Sequence, residues 1–182
     1  MRVVAIASPN YGVRPKGVRV DTVVIHADAA ADAQASISWI RSPQSKVSYH
    51  SLVDRDGTVY RFVEPSRRAW HAGVSTFDGR DNVNQFSLGL AFANRNDGKE
   101  LYVDAQYVSG AAVVAGWMEL YPAITLDRLT THAVIREAWR AKGHPEAEVK
   151  HDPGPLFDMD RLKALIRTLQ TEVPTPTESR AL

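Results

Sequence analysis

The chain of 182 residues has no cysteine. Disulfides are therefore excluded, and so is any thiolate metal site; a metal here must be held by histidine and carboxylate. There is also no excess of either charge. Lys plus Arg number 22 against 21 Asp plus Glu, a net charge of +1, so the totals give no electrostatic footprint for a nucleic-acid partner. No apolar run approaches the roughly 20 residues of a membrane span, and no membrane insertion is expected. The run from Val3 to Ala7 is too short for the apolar core of a secretory signal, and Tyr11 and Arg14 follow closely. The protein is expected to be made in the cytoplasm. The length suffices for one domain with a real core, and 44% apolar against 24% charged residues is an ordinary globular balance.

What the chain does contain is a set of punctuated apolar segments. Residues 1–18 read as an extended arm, with turn signals at Pro9-Asn10 and Pro15-Lys-Gly17. Val20–His26 is a β-branched run that suits a strand buried on both faces. Residues 31–40 suit a helix with Ile37, Trp39 and Ile40 turned to the core. Val47–Val53 and Thr58–Val63 flank Asp54-Arg-Asp-Gly57, a hairpin signal because Asp-Gly tolerates the positive φ of a tight turn. Phe86–Phe92 reads as a second buried strand. Residues 104–121 carry Val108, Ala111, Ala112, Ala115 and Met118 at helical spacing, and Pro122 stops that helix. Residues 158–169 form a last amphipathic helix with Asp158 as N-cap and Leu162, Leu165, Ile166 and Leu169 inward. A tail over 172–182, rich in Pro and Thr, reads as disordered. Strands and helices interleave. The expected fold is a single α/β domain over 1–171, with a central mixed β-sheet flanked by helices and a metal site at the strand ends in a surface groove.

Six histidines are present. His26 ends a buried strand, where α/β sheets place ligands. His132 follows Leu129-Thr-Thr. The stretch Lys150-His-Asp-Pro-Gly-Pro155 brings a lysine and an aspartate into a stiff turn. Two imidazoles and one carboxylate would leave a fourth zinc position open. Tyr49 and His50 are neighbours on an expected strand and face opposite sides, so only one reaches the site. His71 lies in a loop with Trp70 and Gly73. His144 and His151 read as exposed or turned away.

Together, Val24-Ile-His26, Val47-Ser-Tyr-His50, Asp54-Arg-Asp-Gly57, Arg68-Ala-Trp-His-Ala-Gly-Val-Ser75, Phe86-Ser-Leu-Gly-Leu90, Thr131-His132 and Lys150-His-Asp-Pro-Gly-Pro155 resemble the zinc-dependent N-acetylmuramoyl-L-alanine amidases, the family that includes the peptidoglycan recognition proteins. The resemblance runs from about Ser8 through the last helix. It implies one zinc ion held by His26, His132 and Asp152, with Lys150 stabilising charge at the scissile carbonyl. Zinc suits an amide, a poor electrophile, because it polarises the carbonyl and activates water.

The pattern is mixed. Cytoplasmic amidases that recycle anhydro-muropeptides resemble this chain through Arg-Ala-Trp-His-Ala-Gly-Val-Ser and Lys-x-Asp-Pro-Gly-Pro, but carry a glutamate base where this chain has Ala91. Short phage amidases have a tyrosine at the place of Tyr49 and no such glutamate, yet use a cysteine where this chain has Asp152. Tyr49 and Lys150 are therefore the expected catalytic pair. Trp70, His71 and Asn84 are expected to line the substrate groove. The expected function is cleavage of the bond between N-acetylmuramic acid and L-alanine by a monomeric, phage-type endolysin that reaches the cell wall through a holin. The alternatives are a recycling amidase acting on soluble muropeptides, or a binding module that holds peptidoglycan without cutting it.

Overall fold

A computed structural model describes residues 1–172; the part of the expected tail from 173 onward lies outside the described residues. Six strands form one mixed sheet in the order β1-β5-β4-β9-β3-β10. They are β1 (Val3–Ala5), β3 (Thr22–Ala27), β4 (Ser51–Val53), β5 (Val59–Arg61), β9 (Ser87–Phe92) and β10 (Leu129–Thr131). The β4–β5 pair is antiparallel and every other pair in the sheet is parallel. Two small ribbons join β2 (Tyr11–Gly12) to β6 (Arg68–Ala69) and β7 (Thr76–Phe77) to β8 (Arg80–Asp81). Four α-helices cover the sheet: α1 (Ala33–Arg41), α2 (Asp104–Leu120), α3 (His132–Ala141) and α4 (Met159–Glu172). The α/β domain with a central mixed sheet is thus as expected.

The central strands β3 and β9 are buried along their whole length, as their unbroken apolar runs require. One sheet face offers Val23, Ile25, Leu88, Leu90 and Phe92 to Tyr107, Ala111 and Val114 of α2 and to Leu162 and Ile166 of α4. The other face carries Leu52 and Ala91 against Ile37 and Ile40 of α1, and Val24 against Ile135 of α3. Helix α2 approaches β9 closely: a Cβ on Gly110 would lie 2.5 Å from Phe92 Cζ. The hairpin turn closes where Asp-Gly foretold, with Gly57 at φ +82° and its N–H donating to Asp54 O.

Several expectations need correction. Trp39 is 58% exposed and Val108 57% exposed, so neither is a core contact. The buried stripe of α2 runs instead through Gln106, Tyr107, Gly110, Ala111, Val113, Val114 and Trp117. The extended N-terminal segment is joined to the domain, since β1 pairs with β5 and β2 pairs with β6. Strand β10 and helix α3 had no expected counterpart, because their defining partners lie far away in the chain.

Candidate metal centre and cleft

Each site residue is placed by an element that ends at the same rim of the sheet. His26 is the penultimate residue of β3 and fully buried. Strand β10 runs beside β3 with Thr131 opposite Ile25, so the next residue, His132, falls beside His26. Thr131 caps α3, its hydroxyl accepting the Val134 N–H at 3.2 Å, which turns the chain into the helix at His132. The loop after α3 returns Asp152 to the same point, where its carbonyl accepts the Ala133 N–H. Behind it, the Tyr102 hydroxyl donates to Pro153 O at 2.8 Å. Phe157 packs on Phe92, Tyr102 and Tyr107.

His26 Nδ1 lies 3.0 Å and His132 Nδ1 3.2 Å from Asp152 Oδ2. The three residues can each offer a ligand atom within 4.8 Å of the others. Burial pushes the His26 imidazole down to about 4, against the opposing hydrogen bond with Asp152, so it is neutral at ordinary pH. Burial alone would raise the Asp152 carboxyl, but its side-chain contacts with the His132 and His26 rings outweigh that and hold the group ionised. Neutral imidazole with an ionised carboxylate is the donor set that a divalent metal takes. The residues present fit a zinc ion.

The far side of His26 is also specified. His26 Nε2 lies 3.1 Å from His71 Nδ1, and His71 Nε2 lies 3.3 Å from Ser87 Oγ. The Ser87 hydroxyl donates to Val83 O at 2.7 Å. That last bond orders the chain: His71 Nε2–H donates to Ser87, and His26 Nε2–H donates to His71. The lone pair of His26 is then left on Nδ1, facing His132 and Asp152. Gly89 makes room for the relay, since a Cβ there would sit 2.5 Å from His71 Cγ.

His132 and Asp152 open onto a cleft of about 600 Å³, also lined by Tyr49, Trp70, His71, Asn84, Arg136 and Lys150, while His26 stays fully buried. His71 therefore borders the cleft, but both its ring nitrogens face protein groups, which leaves none for a substrate. Trp70 and Asn84 are half-buried in the lining, and Asn84 Oδ1 accepts the N–H groups of His71 and Ala72. The Tyr49 ring centroid is 5.1 Å from that of His26. Burial, with the charges of Asp152 and Asp28, raises its phenol far above the usual value. The phenol therefore stays protonated at ordinary pH. Lys150 Nζ is held by Glu148 at 2.8 Å. His50 points to the other side and is 1% exposed, its Nδ1 accepting the Gly89 N–H at 2.8 Å. Ala91 sits opposite His26 in the β3–β9 register, fully buried and without a group that could move a proton.

Residues 16–155 match the family model described as N-acetylmuramoyl-L-alanine amidase. The chain belongs to the N-acetylmuramoyl-L-alanine amidase family. It is 33% identical over 178 residues to the 1,6-anhydro-N-acetylmuramyl-L-alanine amidase AmpD of Salmonella typhimurium, an alignment covering 88% of each chain. The crystal structure of a Se-Met AmpD derivative superposes with a TM-score of 0.70 at 32% identity, over 91% of this chain and 94% of that one. The N-acetylmuramyl-L-alanine amidase AmiD from E. coli, in complex with the substrate anhydro-N-acetylmuramic acid-L-Ala-D-gamma-Glu-L-Lys, gives a TM-score of 0.68 at 25% identity, over 84% of this chain and 60% of that one. The expected family and an amide-hydrolysing enzyme are thereby met. Arg136 is the cleft residue that sequence reasoning missed. Its only signal was its place four residues after His132, one helical turn along the same face.

Proposed function

We propose that residues 1–171 form a monomeric zinc amidase that hydrolyses the bond between the muramyl lactyl group and L-alanine in soluble anhydro-muropeptides. The observation that carries this reading is the buried His26–His132–Asp152 donor set, two of whose members, His132 and Asp152, line a cleft, in a chain of this family. The anhydro-sugar amidases among its relatives, matched over almost their whole length, favour the recycling alternative over the endolysin first expected. When bound, zinc would polarise the carbonyl and activate water for attack.

The chain's own groups supply the rest. His26, oriented by His71, presents a neutral nitrogen, His132 offers a second ring nitrogen, and Asp152 balances charge. Hydrolysis joins water oxygen to the carbonyl carbon, breaks the C–N bond, and leaves a proton on the L-alanine nitrogen. The Tyr49 phenol, kept protonated by burial, donates a hydrogen bond to the oxygen on which negative charge develops. The Lys150 ammonium neutralises that charge after leaving Glu148. An ion pair with an exposed partner is worth only about 0–1 kcal/mol, so the exchange costs little. Trp70 stacks on sugar or peptide at the rim.

The test is mass spectrometry of digests of anhydro-muramyl peptide and of intact peptidoglycan, with and without chelator. Free peptide beginning at L-alanine should appear from the soluble substrate, vanish with chelator and return with zinc. Faster release from intact peptidoglycan would restore the endolysin reading. Ala91 favours one second reading, a module that binds muropeptide without cutting it; release of no peptide from either substrate would select it.

A further inference from the structure

The cleft contains a cation that the amidase chemistry above does not use. Arg136 lies on α3, four residues after His132, and is only 8% exposed. Its Nε is buried and meets no hydrogen-bond partner among the described residues. A guanidinium removed from water with a donor unmet is costly unless something fills the gap. The nearby acid does not fill it: Glu148 feels the Arg136 charge, but its carboxylate is paired with Lys150 at 2.8 Å. The opposite wall is shaped for the guanidinium. A Cβ on Gly73 would lie 2.9 Å from Arg136 Nη2, and Gly73 stands at φ +54°. Arg136, Gly73, His132 and Trp70 all line the one cleft.

We infer that Arg136 is a specificity-determining residue that binds a carboxylate of the stem peptide, one residue beyond the bond that is cut. This rests on the amidase reading above. Four residues along a helix advance about 6 Å, so Arg136 stands about one turn from the metal centre. A glutamate joined through its γ-carboxyl keeps its α-carboxylate free. When it follows L-alanine, that carboxylate lies five bonds from the nitrogen released by hydrolysis, a reach that matches one turn. Guanidinium and carboxylate pair through two parallel N–H···O bonds, which Lys150, a point charge on a flexible stem, cannot reproduce.

The experiment is calorimetric titration of the zinc-loaded protein with two peptides, L-Ala-γ-D-Glu-L-Lys and its analogue in which the α-carboxylate is amidated. Cleavage of the corresponding anhydro-muramyl peptides is measured alongside. The native protein should bind the carboxylate peptide about 10- to 100-fold more tightly than the amide. Arg136→Gln should bind both equally, and Arg136→Lys should recover part of the preference. Equal binding of the two peptides by the native protein overturns the inference, whether or not either variant folds. Absence of cleavage with the binding preference intact overturns the amidase reading and leaves the carboxylate site standing.

Discussion

At the scale of single residues, the two nitrogens of His26 face opposite requirements. Nδ1 must keep its lone pair for a metal, and Nε2 must keep its proton for His71. Substituting His71 with Ala removes the acceptor that enforces this tautomer. Zinc affinity, measured by chelator competition, should fall about 10- to 100-fold, as it does when outer partners of metal ligands are lost. Unchanged affinity would show that the ring orientation is set by packing alone. Tyr49→Phe should keep zinc and fold, yet lose about 10²–10³ in kcat, the usual loss when one positioned donor is removed from a developing oxyanion. A parent-like rate would remove Tyr49 from the mechanism. His26, His132 and Asp152 were readable in the sequence because each sits at a boundary, respectively a strand end, a strand-to-helix junction and a rigid turn. The role of His71 was not readable. Its partner is 45 residues away and reaches it only through the sheet.

Among the elements, the tightest junction is α2 on β9. Gly110→Ala places a methyl carbon 2.5 Å from the Phe92 ring, which cannot retreat because it packs on Tyr102 and Phe157. Overpacking of this kind costs about 1–3 kcal/mol, and chemical denaturation should show the loss. Local chemistry announced the hairpin at Asp54–Gly57 and the buried strands at 22–27 and 87–92, since turn residues and β-branched runs act within a few positions. The face of a helix is decided by distant partners. Trp39 and Val108 satisfy the helical period and still point outward, because the spaces beneath α1 and α2 are filled by Ile37, Ile40, Ala111 and Val114.

For the molecule as a whole, acid stability depends on Asp21, buried at the start of β3 and joined to Arg80 at 2.9 Å and Arg128 at 3.2 Å. Burial alone would raise its carboxyl, but the hydrogen bonds from Arg80 and Thr22 and the charges of both arginines hold it below the usual range. A carboxyl depressed in the folded state stabilises fully above its unfolded pKa of about 3.9 and loses that contribution as pH falls through the folded value. Asp21→Asn should therefore lower the melting temperature at pH 7 and flatten the fall in melting temperature below pH 4. A parallel downward shift at all pH values would assign the loss to packing.

Among the described residues, strand β10 has only one neighbour in the sheet, β3, and it hands the chain directly to His132. One half of the metal centre is anchored in the interior and the other half on the sheet's margin. His26 and Asp152 are 126 residues apart in sequence, so a metal between them closes a chain-wide loop at its least supported corner. Loss of metal should free that corner first. Backbone amides of Leu129–Thr131 and the start of α3 should exchange with deuterium faster in chelator, while those of β9 stay protected. Uniform acceleration across the sheet would mean that the metal holds the whole fold together; no change would mean that the margin closes without it.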